Sequence, residues 1–278
     1  MITYPIAKIN LGLNVVERRP DGYHNLETVF FPVPLTDVLK VRRCGNTGSL
    51  GVWEFGSSGI QEYGNTSVQD NLVAKAYRLL KEEFGGRLPA VDVQLFKAIP
   101  SQAGMGGGSS DAASMLMLLN REFGLGLNTQ ELIERAKMLG ADCPFFILGC
   151  PAYAEGIGER LKPVKLSLSG WHLCVVRPNI GVPTRDAFAL IKPQRPAKNC
   201  LDVVHQPIET WRDDLKNDFE QSVFTLHPAI GELKERLYTM GATYAAMSGS
   251  GSALFGLFDH EVKTEKHFPD MFTFTTKL

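Results

Sequence analysis

Pro100-Ser101-Gln102-Ala103-Gly104-Met105-Gly106-Gly107-Gly108-Ser109-Ser110-Asp111-Ala112-Ala113 is the stretch that decides how this chain is read. The strand-like Val91-Asp92-Val93-Gln94-Leu95-Phe96 precedes it, and an apolar, helix-like stretch from Ala112 to Phe123 follows. A glycine-rich turn that opens a helix leaves backbone N–H groups unpaired and aligns the helix dipole behind them, which suits an anion. Three consecutive glycines let a phosphate approach the backbone where a Cβ would intrude. Ser109 and Ser110 add hydroxyls able to bond phosphate oxygens or a metal ion. The run therefore points to a polyphosphate site, best suited to a nucleoside triphosphate. The alternative reading is a flexible linker, against which stands the apolar Met115-Leu116-Met117-Leu118-Leu119 that follows directly. Two commoner nucleotide loops are excluded. No Lys-Ser or Lys-Thr follows the last glycine, as a Walker A loop requires, and Ser109 stands at the third glycine position of G-x-G-x-x-G.

The 278 residues allow one large domain or two ordinary ones. Hydrophobic residues make up 44% and charged residues 21%, enough apolar material for a core. Lys plus Arg total 29 against 30 Asp plus Glu, so no net basic field favours nucleic acid or an anionic membrane. No apolar run is long enough to span a bilayer. The start, Met1-Ile2-Thr3-Tyr4-Pro5, resembles neither a secretory leader nor a transit peptide, and the expectation is a cytoplasmic protein. The five cysteines, Cys44, Cys143, Cys150, Cys174 and Cys200, are scattered and form no C-x-x-C pair. They support neither a disulfide framework nor a structural zinc site, and most of them read as small buried apolar residues.

Residues 6–16 alternate apolar Ile9, Leu11, Leu13 and Val15 with Lys8, Asn10, Gly12 and Asn14, which predicts a strand with Lys8, Asn10 and Asn14 on one face. Further strands are expected near Glu27–Pro32 and Asp37–Arg43, and short strands and loops over residues 45–67. Asp70-Asn71 caps a helix running to about Phe84 and ended by Gly85-Gly86. Asn128 and Glu131 have capping-box spacing ahead of a helix over 129–139. Strands are expected near 144–154 and 171–177, and a helix over 229–240. Tyr244–Met247 and Ser252–Phe258 flank a second glycine–serine turn, Ser248-Gly249-Ser250-Gly251. Strands and helices mix without regular βαβ alternation, which favours an α+β architecture. A domain boundary is expected between Pro163 and Gly170, with domains of residues 1–163 and 164–278.

Asp142, in Gly140-Ala141-Asp142-Cys143-Pro144, is placed after a helix and before an apolar strand. It reads either as a turn aspartate or as a base for a substrate hydroxyl. Lys8 reads either as an edge-strand charge or as a cation aimed at a site, where it would favour an ionised aspartate and offset charge on an attacking oxygen. Tyr23 and His24 follow the Asp21-Gly22 turn; they make an ordinary hairpin or a platform for a flat ring. The Ser248–Ser252 turn is a plain hairpin or a second anion contact.

Taken together these motifs resemble the GHMP kinase superfamily, which has an N-terminal lysine strand, a central Pro-x(3)-Gly-(Leu/Met)-Gly-x-(Gly/Ser)-Ser-Ser loop and a C-terminal Gly-Ser loop. Within it, the chain resembles the branch that phosphorylates a cytidine-diphosphate-linked methylerythritol in the non-mevalonate isoprenoid pathway. The matches are Ala7-Lys8-Ile9-Asn10-Leu11, Arg19-Pro20-Asp21-Gly22-Tyr23-His24, Asp70-Asn71-Leu72, Gly104–Ala113, Gly140–Phe146, Pro183-Thr184, Asn217-Asp218-Phe219-Glu220 and Met247–Ser252. The resemblance implies a two-domain α+β fold. Its N-terminal ATP-binding domain would be like ribosomal protein S5 domain 2, and its C-terminal substrate domain would carry an antiparallel sheet. It implies ATP as phosphoryl donor, with Mg²⁺ carried in on ATP rather than in a dedicated protein cage. Asp142 would be the general base, with Lys8 beside it to stabilise charge. Pro100 and the run Gly104, Met105, Gly106, Gly107, Gly108, Ser109 and Ser110 would wrap the phosphates. Asn71, Lys97 and Asn120 would contact the adenosine part. Tyr23 and Phe188 would sandwich the cytosine, with His24 bonding its edge. Asn10, Asp142 and Thr184 would hold the methylerythritol end, and Ser248, Gly249 and Gly251 would close on substrate and phosphates. The expected partners are this small molecule and ATP, with no nucleic acid and no membrane, in a monomer or homodimer.

Two positions depart from the family pattern. Gln102 stands where a small residue is usual, and Met105 replaces leucine at nearly equal volume. The alternatives are another kinase of the superfamily, acting on homoserine, mevalonate or a sugar, and a non-catalytic nucleotide-binding relative. The presence of both Lys8 and Asp142 speaks against the latter.

Overall fold

The computed structural model describes residues 1–44, 51–56, 70–264 and 266–278. The expectation for residues 45–67 lies outside them except at Gly51–Gly56, which is a strand. In chain order the strands are β1 (Ile2–Thr3), β2 (Ile6–Arg18), β3 (His24–Thr36), β4 (Val38–Arg43), β5 (Gly51–Gly56), β6 (Val91–Lys97), β7 (Ala152–Gly156), β8 (Arg160–Pro163), β9 (His172–Arg177), β10 (Tyr244–Met247), β11 (Leu254–Phe258) and β12 (Phe272–Lys277). The helices are α1 (Leu72–Phe84), α2 (Gly107–Glu122), α3 (Thr129–Leu139), α4 (Cys143–Leu148), α5 (Thr184–Phe188), α6 (Cys200–Val203), α7 (Trp211–Asp214), α8 (Phe219–Leu226) and α9 (Pro228–Thr239).

The chain forms two compact units, each assembled from separated segments. One comprises Met1–Ala7, Val33–Ile99 and Gly106–Gly149. Its sheet runs β1-β4-β6-β5, antiparallel except for the β5–β6 pair. Leu39, Val41, Val93 and Leu95 of the sheet are buried, as are Val73, Ala76 and Leu80 of α1 and Met115, Leu116 and Leu119 of α2. Burying each of these Val, Leu and Met side chains contributes roughly 1.5–3 kcal/mol. Local signals set the helix ends. Asn71 caps α1 by accepting from the Val73 amide at 2.8 Å, and Gly85, at φ 53, ends it. Asn128 and Glu131 form the expected capping box on α3.

The other unit comprises Lys8–Pro32, Pro100–Met105 and Cys150–Leu278. It holds the sheet β2-β3-β7-β8, contributed by the parts of β2 and β3 inside this unit, and the antiparallel sheet β10-β11-β9-β12. Leu13 and Val15 of β2 pack with Val176 of β9, Leu254 of β11, Phe219 and Val223 of α8, and Ile230 and Leu237 of α9. The sequence predicts one inward face for β2, but the strand is buried on both faces. Lys8, Asn10 and Asn14 are 3%, 1% and 8% exposed. Their polar atoms find partners inside the protein, which is the condition for burying them.

One local expectation is overturned. Residues 144–148 are helical, not a strand, and β7 begins only at Ala152. Pro144 fits the first turn of a helix, and Gly149, at φ 68, closes α4 after a single apolar run. A short buried apolar run carries no periodicity that separates helix from strand.

Candidate active site

In the first unit the glycine run opens α2 as expected. Gly106 stands at the N-cap with φ 71 and makes no side-chain cap bond, and the first intrahelical bond is Ser110 N–H to Gly106 C=O at 2.9 Å. The amides of Gly107, Gly108 and Ser109 are the donors that a helix N-terminus leaves without an intrahelical acceptor. A Cβ on Gly107 would come within 2.9 Å of Ile99 Cγ2, so this position is closed to larger residues. The Ser110 hydroxyl is buried and has no partner. The first turn of α1 lies alongside: a Cβ on Gly108 would meet Leu72 Cδ1 at 3.7 Å, which places the Asn71 cap at the edge of the same helix terminus.

Lys97, at the end of β6, gives its ammonium to Asp111 Oδ2 at 2.6 Å and to Asp37 Oδ2. Asp37 Oδ1 accepts the amides of Ala98 and Ile99 at 2.6 and 2.8 Å. Both carboxylates are buried. Burial pushes Asp111 up to about 7, against the opposing pull of Lys97, while Asp37 adds to the rise. Burial also acts to lower Lys97, but the two carboxylates outweigh it and its pKa is raised. A Cβ on Gly107 would lie 3.4 Å from Lys97 Nζ, so the ammonium sits at the α2 terminus with one of its three N–H groups beyond the two carboxylate bonds.

Asp142 stands at the N-cap of α4. The turn that carries it packs on α2: a Cβ on Gly140 would lie 3.9 Å from Ser109 Oγ and 3.4 Å from Cys143 Sγ. Burial pushes the Cys143 thiol up to about 12, with a hydrogen bond from Ser109 opposing the shift. One unit thus gathers Asn71, Lys97, Gly106–Ser110 and the Asp142 turn. Asn120 is not gathered with them. It lies thirteen residues beyond Gly107 on α2, roughly 20 Å along the axis. Its amide both donates to and accepts from the backbone of Leu127 at 2.9 Å.

The second unit assembles another group. Lys8 Nζ donates to Asn10 Oδ1 at 2.6 Å and to the Gly104 carbonyl at 2.7 Å, and lies 5.1 Å from the centroid of the Phe30 ring. The Lys8 amide bonds the Met105 carbonyl at 3.0 Å. Asn10 Nδ2 donates to Thr28 Oγ1 at 3.0 Å, and Thr28 donates to the Gly12 carbonyl at 2.5 Å. The Ser248 hydroxyl donates to the Gly104 carbonyl at 2.9 Å, and a Cβ on Gly249 would lie 3.4 Å from Lys8 Nζ. The Pro100–Met105 segment, the Lys8–Asn10 stretch and the Ser248–Gly251 turn therefore form one packed cluster. Gln102 holds φ 52, the left-handed region that glycine favours.

Of the residues expected to receive the cytosine, two are already in contact. His24 itself stacks on Phe188, with centroids 4.7 Å apart and planes inclined by 24°, and Phe188 meets Phe219 edge-on. Tyr23 is 62% exposed, at a turn braced by the Arg19–Asp21 ion pair at 2.7 Å. Burial and then Arg18 lower the His24 pKa, which favours a neutral imidazole. Thr184 opens the short α5, which ends on Phe188.

Sequence reasoning did not assign Asp37, Asp111 or Thr28. Asp111 directly follows the two serines of the loop, and a carboxylate in the first turns of an otherwise apolar helix was the available signal. Nothing local marks Asp37 or Thr28, which are defined by partners 60 and 18 residues away.

Residues 71–150 match the family described as GHMP kinases N terminal domain, and residues 197–266 match GHMP kinases C terminal. Similar curated proteins include 4-diphosphocytidyl-2-C-methyl-D-erythritol kinase of Bacteroides fragilis, 52% identical over the full length of both chains. The Bacteroides thetaiotaomicron protein of the same name is 50% identical over 94% of this chain and 93% of its own. A crystal structure of 4-(cytidine 5'-diphospho)-2C-methyl-D-erythritol kinase superposes with a TM-score of 0.74 at 37% identity, covering 92% of this chain and 90% of that one. The mevalonate kinase of Methanococcus jannaschii shares the fold, with a TM-score of 0.70 at 12% identity over 99% and 97% of the two chains.

Proposed function

Because the chain belongs to the GHMP kinase family, we propose that it transfers the γ-phosphoryl group of ATP to the 2-hydroxyl of 4-diphosphocytidyl-2-C-methyl-D-erythritol. The new bond joins the substrate oxygen to phosphorus, the bond from phosphorus to the β–γ bridging oxygen breaks, and ADP leaves. The hydroxyl proton passes to Asp142. Phosphoryl transfer needs positioning and charge neutralisation more than covalent chemistry. The α2 terminus is suited to this, since its unpaired amides and dipole favour the phosphates.

In this reading Gly106–Ser110 hold the phosphates, and the third N–H of Lys97 and the Asn71 cap border the nucleotide. The assignment of Asn120 to the adenosine part rests on the resemblance alone. Mg²⁺ would arrive with ATP and neutralise phosphate charge, and the unpartnered Ser110 hydroxyl could offer its oxygen to that ion or donate its O–H to a phosphate oxygen. Lys8 offsets charge on the attacking oxygen, Asn10 and Thr184 hold the polyol, and Tyr23, His24 and Phe188 receive the cytosine. Ser248, Gly249 and Gly251 cover the substrate.

The observation that carries this reading is the packing of the Asp142 turn against Ser109 of the phosphate helix. An ADP-release assay tests it, with Mg-ATP and the cytidine-linked alcohol run beside homoserine, mevalonate and galactose. Turnover with the first alone is expected; turnover with another alcohol would overturn the substrate.

A further inference from the structure

The stretch Asn217-Asp218-Phe219-Glu220 matches the family pattern, yet the reaction gives it no task. Its side chains bridge the strand that carries Lys8 and the glycine–serine turn that covers it. Asn217 is 2% exposed. Its Nδ2 donates to the carbonyls of Met247 and Gly249, both at 2.8 Å, and its Oδ1 accepts the Phe219 amide at 3.0 Å. Glu220 Oε1 accepts the Met247 amide at 2.8 Å, while Oε2 takes Lys234 at 2.6 Å. On the other side, Asp218 accepts the Val15 amide of β2 at 2.8 Å. The backbone follows the same route: Leu13 N–H bonds Lys216 C=O at 2.9 Å, and Asp218 N–H bonds Leu13 C=O at 2.8 Å.

We infer that Asn217 and Glu220 are positioning residues that set the Ser248–Gly251 turn against Gly104 and Lys8. Both N–H groups of one carboxamide are spent on carbonyls on either side of Ser248, which aims the Ser248 hydroxyl at the Gly104 carbonyl. That carbonyl is also a partner of the Lys8 ammonium. Glu220 fixes the start of the turn through Met247. The chain of bonds from Asn217 to Lys8 has no slack, because every donor and acceptor named in it is engaged. The inference rests on the proposed roles of Lys8 and of the turn.

Asn217→Asp keeps the shape and replaces two donors with an oxygen facing two carbonyl oxygens. In a protein whose wild type turns over the cytidine-linked alcohol, this variant is expected to lower kcat and kcat/KM together by about 10- to 100-fold, the loss that follows a shift of roughly 1 Å in a catalytic group. Tyr238→Phe is the control. It removes a hydroxyl that bonds the backbone of Ala245 at 3.1 and 3.2 Å and leaves residues 247–251 untouched. It is expected to lower Tm and keep kcat. If Asn217→Asp does not fold, Glu220→Met is assayed instead; Lys234 is 19% exposed and can turn to solvent, and a fall in kcat is again expected. A folded Asn217→Asp or Glu220→Met with wild-type kcat overturns the inference, as does a kcat loss in Tyr238→Phe matching that of Asn217→Asp. A wild type silent on the substrate refutes the proposed reaction instead.

Discussion

Lys97 and Asp111 form a buried ion pair, Nζ to Oδ2 at 2.6 Å, in which the lysine also serves Asp37. Two carboxylates therefore share one ammonium, and Asp111 Oδ1 is buried with no partner. With its pKa pushed up by burial to about 7, Asp111 in the folded protein holds its proton where the unfolded chain has lost it. Folded protein binds more protons between the ordinary aspartate pKa, about 4, and about 7, so the contribution of this group to stability falls as pH rises through that window. Asp111→Asn removes the titration. Urea unfolding of both proteins without nucleotide, at pH 5 and pH 8, is expected to show the variant gaining on the wild type at the higher pH. A difference independent of pH would show that Asp111 does not titrate there.

Gly104 has φ 71, and a Cβ there would overlap the Ser248 carbonyl oxygen. Gly126 has φ 85 and open space around it. Gly126→Ala should therefore cost only the left-handed strain, about 1–2 kcal/mol. Gly104→Ala should cost more and also displace the Ser248 turn. Thermal unfolding of the pair measures the difference, and kcat should fall in Gly104→Ala; equal Tm shifts would refute the clash.

Asp142→Asn keeps the side-chain shape and removes the base. Turnover should drop by ~10²–10⁴, with ATP affinity by calorimetry near the wild-type value. Activity close to wild type would remove Asp142 from the proton-transfer step.

Tyr23 and Phe188 should separate binding from packing. Tyr23 is largely exposed, so Tyr23→Ala should leave Tm unchanged and raise KM for the cytidine substrate, sparing KM for ATP. Phe188 packs on both His24 and Phe219, so Phe188→Ala should raise the same KM and also lower Tm. Steady-state kinetics beside thermal unfolding distinguishes them. A rise in both Michaelis constants for Tyr23→Ala would place the ring elsewhere.

The phosphate helix was legible in the sequence because its chemistry is local. A strand, a run of glycines and an apolar helix are consecutive, and the conformational freedom of glycine acts where it stands. The caps of α1 and α3 were legible for the same reason, since Asn71 and Asn128 bond amides two and three residues away. The Asp142 turn was found as a motif, but the helix after it was not, because six residues of apolar sequence, five of them buried, carry no period. Tertiary structure alone decided which carboxylates hold Lys97, that Lys8 is buried rather than solvated on a strand edge, and that His24 stacks on Phe188. Each of these depends on partners far along the chain. Whether a buried charge or ring is tolerated is settled by the donors, acceptors and apolar surface that folding brings to it.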